Sequence, residues 1–465
     1  MPPNGHLIHG SEQEIAEHVV EDIAEALGDV ASFGGQIYAW STMHWAALGR
    51  SQIFGFIKPY DGFEYGELKH RLRPIKLSNQ KIEAIEKLIV RNTDQPGFFD
   101  APTAGIPCQN GIIQFKEGEA KLLPHHPDHR NRHVLPVTWD GKIVDEPPGG
   151  SLLKRYLDGV FADDDDAGEK RAVLAEIAGV ALAGCATEIA APKAIVLHGS
   201  SAENGKSQYQ NLLRGLVPAN AQVTLSPSML SSPRNVATLD GAVLVSASEI
   251  GGKAIASEEL KAAITGDPML GCPLYKAGYT VIPKALHVYS TNTLPGFTSG
   301  MDAGVRRRLL VVTFNRVIPF EGRIEKIGAR IAEFELDLVF AWAVGGWLQV
   351  MNQGDFSRLA SSDDAVKDWI LVSDPFECWL NDPMAVLVTG IETDRLIARG
   401  AFSAYRKWAE LEGLRDTSVG TQTRFTQRLR EFSGRGIQVR KSNRGNVIHG
   451  LKLVGGSASP KGAKP

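Results

Sequence analysis

Residues 192–216 read PKAIVLHGSSAENGKSQYQNLLRGL, and the fold assignment turns on this stretch. Lys193–His198 is a short apolar run that reads as a buried strand, and a helical pattern follows through Gly215. Between them lies a glycine-bounded loop that ends in Gly205-Lys206-Ser207. After a strand and before a helix, such a loop turns its backbone N–H groups and the helix N-terminus toward phosphate oxygens. Gly199, Ser200, Glu203, Asn204, Gly205, Lys206 and Ser207 are the candidate phosphate contacts. Lys206 would reach the β and γ oxygens, and the Ser207 hydroxyl would ligate Mg²⁺. From Gly199 to Gly205 the loop is one residue longer than GxxxxGK[ST]. Either Ser200 takes the first glycine's place or the loop bulges.

Downstream, apolar strands recur at Ala242–Ala247, Ala285–Ser290 and Leu309–Phe314, with helical or turn-rich stretches between them. That alternation predicts a mainly parallel α/β sheet. The first of these strands runs into Ser248 and Glu249, which makes Glu249 the candidate acid for the metal and the attacking water; Ser248 stands where a second acid would be expected. The next ends at Asn292, an amide able to bond a γ-phosphate or a lytic water. Arg306, Arg307 and Arg308 precede the last strand, where guanidinium groups suit a transferring phosphoryl group.

Outward from this core, residues 1–150 predict a mixed α+β domain that opens on a capping-box pattern, Ser11-Glu12-Gln13-Glu14. DEPPGG (145–150) is a connector, and residues 151–191 form a helical collar with helices at Ser151–Phe161 and Ala167–Ala183. The α/β core spans 192–322. A helical lid spans 323–385, one stretch over Ile324–Gln353 and another over Asp363–Leu380. Residues 386–455 read as helix (Thr393–Glu412), helix (Gly420–Ser433) and two strands (Ile437–Arg440, Val447–Val454), the order of a winged helix. The tail, 456–465, has a disordered composition.

The chain has 465 residues, 43% hydrophobic and 22% charged, which excludes wholesale disorder and predicts several domains. No run approaches the length of a membrane span, and the first thirty residues carry no secretory pattern. Four scattered cysteines without a CxxC pair speak for a reducing, cytoplasmic setting. The net charge of −3 hides an asymmetry: residues 415–452 hold nine basic and two acidic residues. A basic module on an acidic body suggests a polyanion partner. Arg424 and Arg428 on the second helix, and Arg440, Lys441 and Arg444 in the wing, are the candidate duplex-DNA contacts.

The set of motifs, NGKS after a strand, Ser248-Glu249, Thr265-Gly266-Asp267-Pro268, STNTLP (290–295) and RRRLLVVTF (306–314), resembles superfamily 3 helicases. It is most similar to the phage and plasmid primase–helicase branch and to the helicase half of the poxvirus primase–helicase. Asn110-Gly111-Ile112-Ile113 upstream and Ser373-Asp374-Pro375 downstream extend the likeness to about nine-tenths of the chain. The resemblance implies an AAA+-like homohexameric ring in a bacterial host, hydrolysing ATP with Mg²⁺ and moving along single-stranded DNA. By it, Lys206, Ser207 and Glu249 form the hydrolytic site and Asn292 is the sensor. Arg307 and Arg308 reach the neighbouring subunit's nucleotide, and Lys276 sits on a hairpin in the channel. The branch's own habit also accounts for Ser248.

Two other patterns lead elsewhere. His125, His126, His129 and His133 with Asp128 have spacings a metal could use, but they lie in a proline-rich connector without cysteine. Asp163–Asp166 precedes a helix start and reads as a capped, solvated turn. Only about 150 residues precede the collar, with no paired acids on strands, so a helicase without primase is expected. The alternatives are a DNA-bound initiator or loader whose ATPase switches assembly, and a primase–helicase that also primes.

Overall fold

The structure is a computed structural model that describes residues 7–66, 72–252, 254–274, 277–297, 301–414, 419–443 and 445–454. Lys276, Arg444 and the 456–465 tail lie outside the described residues. The chain divides into two compact units, one of residues 1–250, 258–293 and 307–362, the other of 251–257, 294–306 and 363–465.

The first unit opens with α1 (Glu12–Leu27), whose Ile15, Ala16, Val19 and Ile23 form a buried stripe. Its start departs from the expected capping box. The Ser11 hydroxyl accepts from the Glu14 N–H at 3.2 Å, but the Glu14 carboxylate collects the N–H groups of Ile8, His9 and Gly10 instead of Ser11. Burial raises the pKa of that carboxyl, yet the three amides outweigh it and hold the group below its ordinary value. An antiparallel sheet follows, β1 (Val30–Phe33), β2 (Gln36–Trp40) and β3 (Trp45–Ala47), then α2 (Arg50–Ile57) and α3 (Asn79–Thr93). A second antiparallel sheet is made by β4 (Ile106–Cys108), β5 (Gly111–Lys116) and β6 (Glu119–Leu123).

Two collar helices, α4 (Leu152–Val160) and α5 (Ala167–Ala183), lead into the α/β core. Its strands are β7 (Ala194–His198), β8 (Gln222–Thr224), β9 (Leu244–Ala247), β12 (Leu286–Thr291) and β13 (Leu309–Thr313). Every pairing among these five is parallel, in the order β8-β9-β12-β7-β13. The first strand in sequence thus lies inside the sheet, with later strands on both sides. Ligands of open α/β sheets bind at such a reversal, outside the carboxyl ends of the strands. β7 feeds α6 (Lys206–Leu216); α7 (Ser257–Thr265) and the hairpin β10 (Met269–Gly271) and β11 (Tyr279–Val281) lie between β9 and β12.

The stretch expected as one helix over 324–353 is two, α8 (Ile327–Phe334) and α9 (Leu336–Gln353), broken at Glu335. The break frees the Glu335 carboxylate to accept from the N–H groups of Leu152 and Leu153, at 2.7 and 2.9 Å, capping α4. Asp163–Asp166 is a turn only half solvated: Asp163 and Asp165 are exposed, but the other two are not. Asp164 and Asp166 pair with Lys170, itself 1% exposed, at 2.9 and 3.1 Å, and Asp166 also bonds Ser361.

In the second unit, α10 (Ala360–Ser373) and α11 (Pro375–Asn381) replace the single helix expected over 363–380. Pro375 disfavours helical backbone at the residue before it, and Asp374 instead caps α11 through the Glu377 N–H at 3.1 Å. Then come β14 (Val386–Val388), β15 (Arg395–Ile397), α12 (Ala398–Leu411), α13 (Gln422–Glu431), β16 (Gln438–Ser442), β17 (Gly445–His449) and β18 (Leu451–Leu453). The helix expected from Thr393 starts later because Arg395–Ile397 pairs with β17. The strand expected over 447–454 is broken at Gly450 (φ +82°), and β18 leaves to pair with β14. Phe376, Trp379, Tyr405, Phe425 and Leu429 centre this unit's core.

Candidate nucleotide site

The loop between β7 and α6 sits at the carboxyl edge of the sheet. Gly205 caps α6 in the left-handed region (φ +94°), as does Glu203 two residues earlier (φ +63°). A Cβ at Gly199 would lie 2.4 Å from Asn204 Nδ2 and 2.5 Å from the Phe314 carbonyl, so only glycine fits. Asn204 ties the loop down, donating to the carbonyls of Ser201 at 2.8 Å and Phe314 at 3.2 Å. Two further contacts hold the loop. Tyr156 of α4 donates to the Gly205 carbonyl at 3.1 Å, and Glu203 pairs with Arg323 at 2.6 Å.

Lys206 is 4% exposed. Its ammonium donates to the Gly199 carbonyl at 3.0 Å, the Ser201 carbonyl at 3.4 Å, Asn204 Oδ1 at 3.0 Å and Asn292 Oδ1 at 2.9 Å. Burial pulls its pKa below the ordinary value, against the opposing pull of Glu249. Asn292 Nδ2 in turn donates to Glu249 Oε1 at 3.0 Å. Three residues thus form one chain, Lys206–Asn292–Glu249, from the start of α6 to the residues just past the ends of β12 and β9. Glu249 is held at φ +56°, a conformation that non-glycine residues adopt mainly where surrounding structure imposes it.

Ser200, Ser207 and Glu249 are exposed at this edge. The Ser248 hydroxyl donates to Gln210 Oε1 at 2.9 Å. Beside the loop opens a cleft of about 870 Å³ lined by Tyr156, Val160, Lys206, Ser207, Ile318 and Phe320. The cleft is partly apolar, as pockets that take flat organic groups are.

The arginine run splits in role. Arg306 Nε donates to the Met301 carbonyl at 2.7 Å, and the Arg308 carbonyl accepts from the Ala194 N–H at 2.8 Å, fixing β13 beside β7. Arg307 is exposed, with no hydrogen bond or ion pair among the described residues. In the second unit, Arg428 pairs with Asp374 and, at 3.0 Å, with Glu431, and it stacks over Phe376 and Phe432. Arg440 pairs with Glu392. The Arg424 and Lys441 side chains are exposed and make no hydrogen bond or ion pair among the described residues; the Arg424 N–H caps α13 on the Thr421 hydroxyl. No three His, Cys, Asp or Glu side chains among the described residues could hold a metal. No described helix is long and apolar enough to cross a membrane.

Sequence reasoning missed Gln210, which ties α6 to the β9 and β12 ends, and Tyr156, which bonds the loop at Gly205. A single glutamine or tyrosine inside a helical pattern carries no signal of its own.

A parallel five-stranded sheet with this loop at its reversal point fits the core of a P-loop-like helicase. Residues 21–162 match the family model described as D5 N terminal like, and residues 197–308 match a family of unknown function, DUF5906. With the ordered motifs, these matches support the resemblance to superfamily 3 helicases of the primase–helicase type. No curated protein matches it significantly. Among solved structures it is similar to the apo C-terminal region of NrS-1, at 15% identity over 82% of this chain and 91% of that one, TM-score 0.42. A second form of that region aligns at 11% identity over 95% and 100%, TM-score 0.46. A ligand-bound JCV helicase aligns at 13% identity over 47% and 66%, TM-score 0.22. At these scores the alignments carry no functional argument.

Proposed function

We propose that the protein is an ATP- and Mg²⁺-dependent replicative DNA helicase of a phage, plasmid or integrated element, working as a homohexameric ring on single-stranded DNA. The observation that carries this reading is the Lys206–Asn292–Glu249 chain at the carboxyl edge of the sheet. It joins a cation for phosphate, an amide and a carboxylate within hydrogen-bond contact, and these are the groups phosphoryl transfer to water requires.

Lys206, freed from its loop carbonyls, would neutralise the β and γ oxygens, and the loop N–H groups and the α6 N-terminus would orient them. Glu249 would orient the attacking water and accept its proton. Asn292, bonded to both, would report which phosphates are present. The donor set of Ser207 hydroxyl and Glu249 carboxylate fits magnesium, which keeps several waters and binds few protein oxygens. When bound, the ion would neutralise charge developing on the phosphates. Arg307, exposed beside β13, suits a residue that reaches a neighbouring subunit's nucleotide. In the second unit, the order strand, helix, helix, hairpin, with β15 paired to β17, supports a winged helix. Its free cations, Arg424 and Lys441, would meet duplex phosphates.

Strand separation of a forked duplex tests this reading. The purified protein is expected to displace the strand only with ATP and Mg²⁺, and Lys206→Ala to abolish displacement. Duplex-dependent assembly with no displacement would favour the initiator, and nucleotide incorporation would favour the primase–helicase.

A further inference from the structure

Gln210 lies one turn into α6, four residues after Lys206, and is 1% exposed. Its Nε2 donates to the carbonyls of Ala247 at 3.0 Å and Val288 at 3.2 Å. Its Oε1 accepts from the hydroxyls of Ser248 at 2.9 Å and Ser290 at 3.2 Å. A carboxamide has two N–H donors and two lone pairs, and all four are used. The orientation of the amide follows from chemistry, because two carbonyl oxygens can face only its N–H groups.

The four partners fall on two strand ends. Ala247 ends β9 and Ser248 follows it, immediately before Glu249; Val288 and Ser290 lie on β12, just before Asn292. One side chain therefore ties the helix that starts at Lys206 to both strands that carry the other members of the Lys206–Asn292–Glu249 chain. Burying a carboxamide is unfavourable unless it is fully bonded, and an apolar residue would pack a helix on a sheet with less risk. What an apolar residue cannot do is fix the height of two strand ends against the helix. Arg214, one turn on, adds a second rung by donating to the Ser246 hydroxyl at 3.0 Å.

We infer that Gln210 is a positioning residue that sets Glu249 and Asn292 at their working distances from Lys206. Buried, with all four of its bonding positions filled by protein, it would act through the two strand ends. The inference rests on reading this edge as the hydrolytic site. It also gives Ser248 a role: at that position a hydroxyl serves the Gln210 network.

The test is steady-state ATP turnover and equilibrium ATP binding by the full chain. Gln210→Met keeps the volume and removes all four bonds. It is expected to lower kcat about tenfold to a hundredfold while moving the nucleotide Kd less than about threefold, since phosphate contacts stay and alignment is lost. Gln210→Glu supplies a diagnostic pH profile. Its neutral acid can donate to one carbonyl and accept from the serines, whereas its anion would face two carbonyl oxygens. Turnover by that variant should therefore fall as pH rises, in a step absent from wild type. Should either variant fail to fold, Ser248→Ala with Ser290→Ala removes the two serine bonds and should lower kcat in the same sense. Wild-type kcat and pH profile in the folded variants would overturn the inference alone. A wild type that does not hydrolyse ATP would overturn the hydrolytic reading and this inference with it.

Discussion

The Lys206 ammonium makes its bonds to oxygens of the loop and of Asn292, and a phosphate would compete for the same donors. Lys206→Ala is thus expected to weaken ATP binding and reduce turnover about a hundredfold or more. Asn292→Ala removes the link to Glu249 but leaves the loop intact. It is expected to reduce turnover about tenfold or more with nucleotide affinity nearly unchanged, which a fluorescent-nucleotide titration beside a phosphate-release assay would separate. Glu249, at positive φ, should resist a conformational rescue. Glu249→Gln keeps the bond from Asn292 yet cannot take a proton, so it is expected to bind ATP and not hydrolyse it. The sequence pointed to these three because Lys206 opens the helix after the glycine-bounded loop, and Glu249 and Asn292 follow strand ends in a fixed order. Gln210 was not, since its meaning lies in four partners that only the folded sheet brings together.

Basic residues counted as equivalent in the sequence separate at the level of the elements. Arg428 of α13 is held between two carboxylates and two aromatic rings, so it fastens α13 to α11. Arg428→Ala is expected to destabilise the second unit by roughly 1–3 kcal/mol, because it leaves the half-buried Asp374 without its cation. Arg424→Ala and Lys441→Ala should leave the melting temperature unchanged and weaken duplex binding, each lowering the salt slope by about one. Thermal melts and salt-dependent binding isotherms on the three variants would check both expectations. Element types were readable from periodicity, but boundaries failed where a long-range partner decided them. Arg395–Ile397 continues a helical pattern and is a strand only because β17 lies beside it. Glu335 and Asp374 break helices whose apolar spacing runs straight through them.

Across the whole molecule, two buried histidines tie the stability of the first unit to pH. Burial chiefly holds the pKa of His133 and of His287 down at about 4, against an ordinary 6.5. Between those values the unfolded chain binds the proton and the folded chain does not. Stability is therefore full above about pH 6.5 and is lost as pH falls toward 4, by roughly 1 kcal/mol per histidine per pH unit. Melting temperatures between pH 7.5 and 4.5 should fall accordingly, and a flat profile would contradict the burial of both rings. The ordering of motifs made the parallel core readable from the chain alone. The ion-pair knot around Lys170 was not, because four adjacent aspartates look like solvated turn residues until a buried lysine is placed among them. On the proposed reading, the Lys206–Asn292–Glu249 edge turns over ATP in response to DNA. Hydrolysis by the purified protein, with and without single-stranded DNA and against Lys206→Ala, tests it most directly. The account predicts strong stimulation by the strand that disappears in the variant; hydrolysis indifferent to DNA, or unchanged in Lys206→Ala, would contradict it.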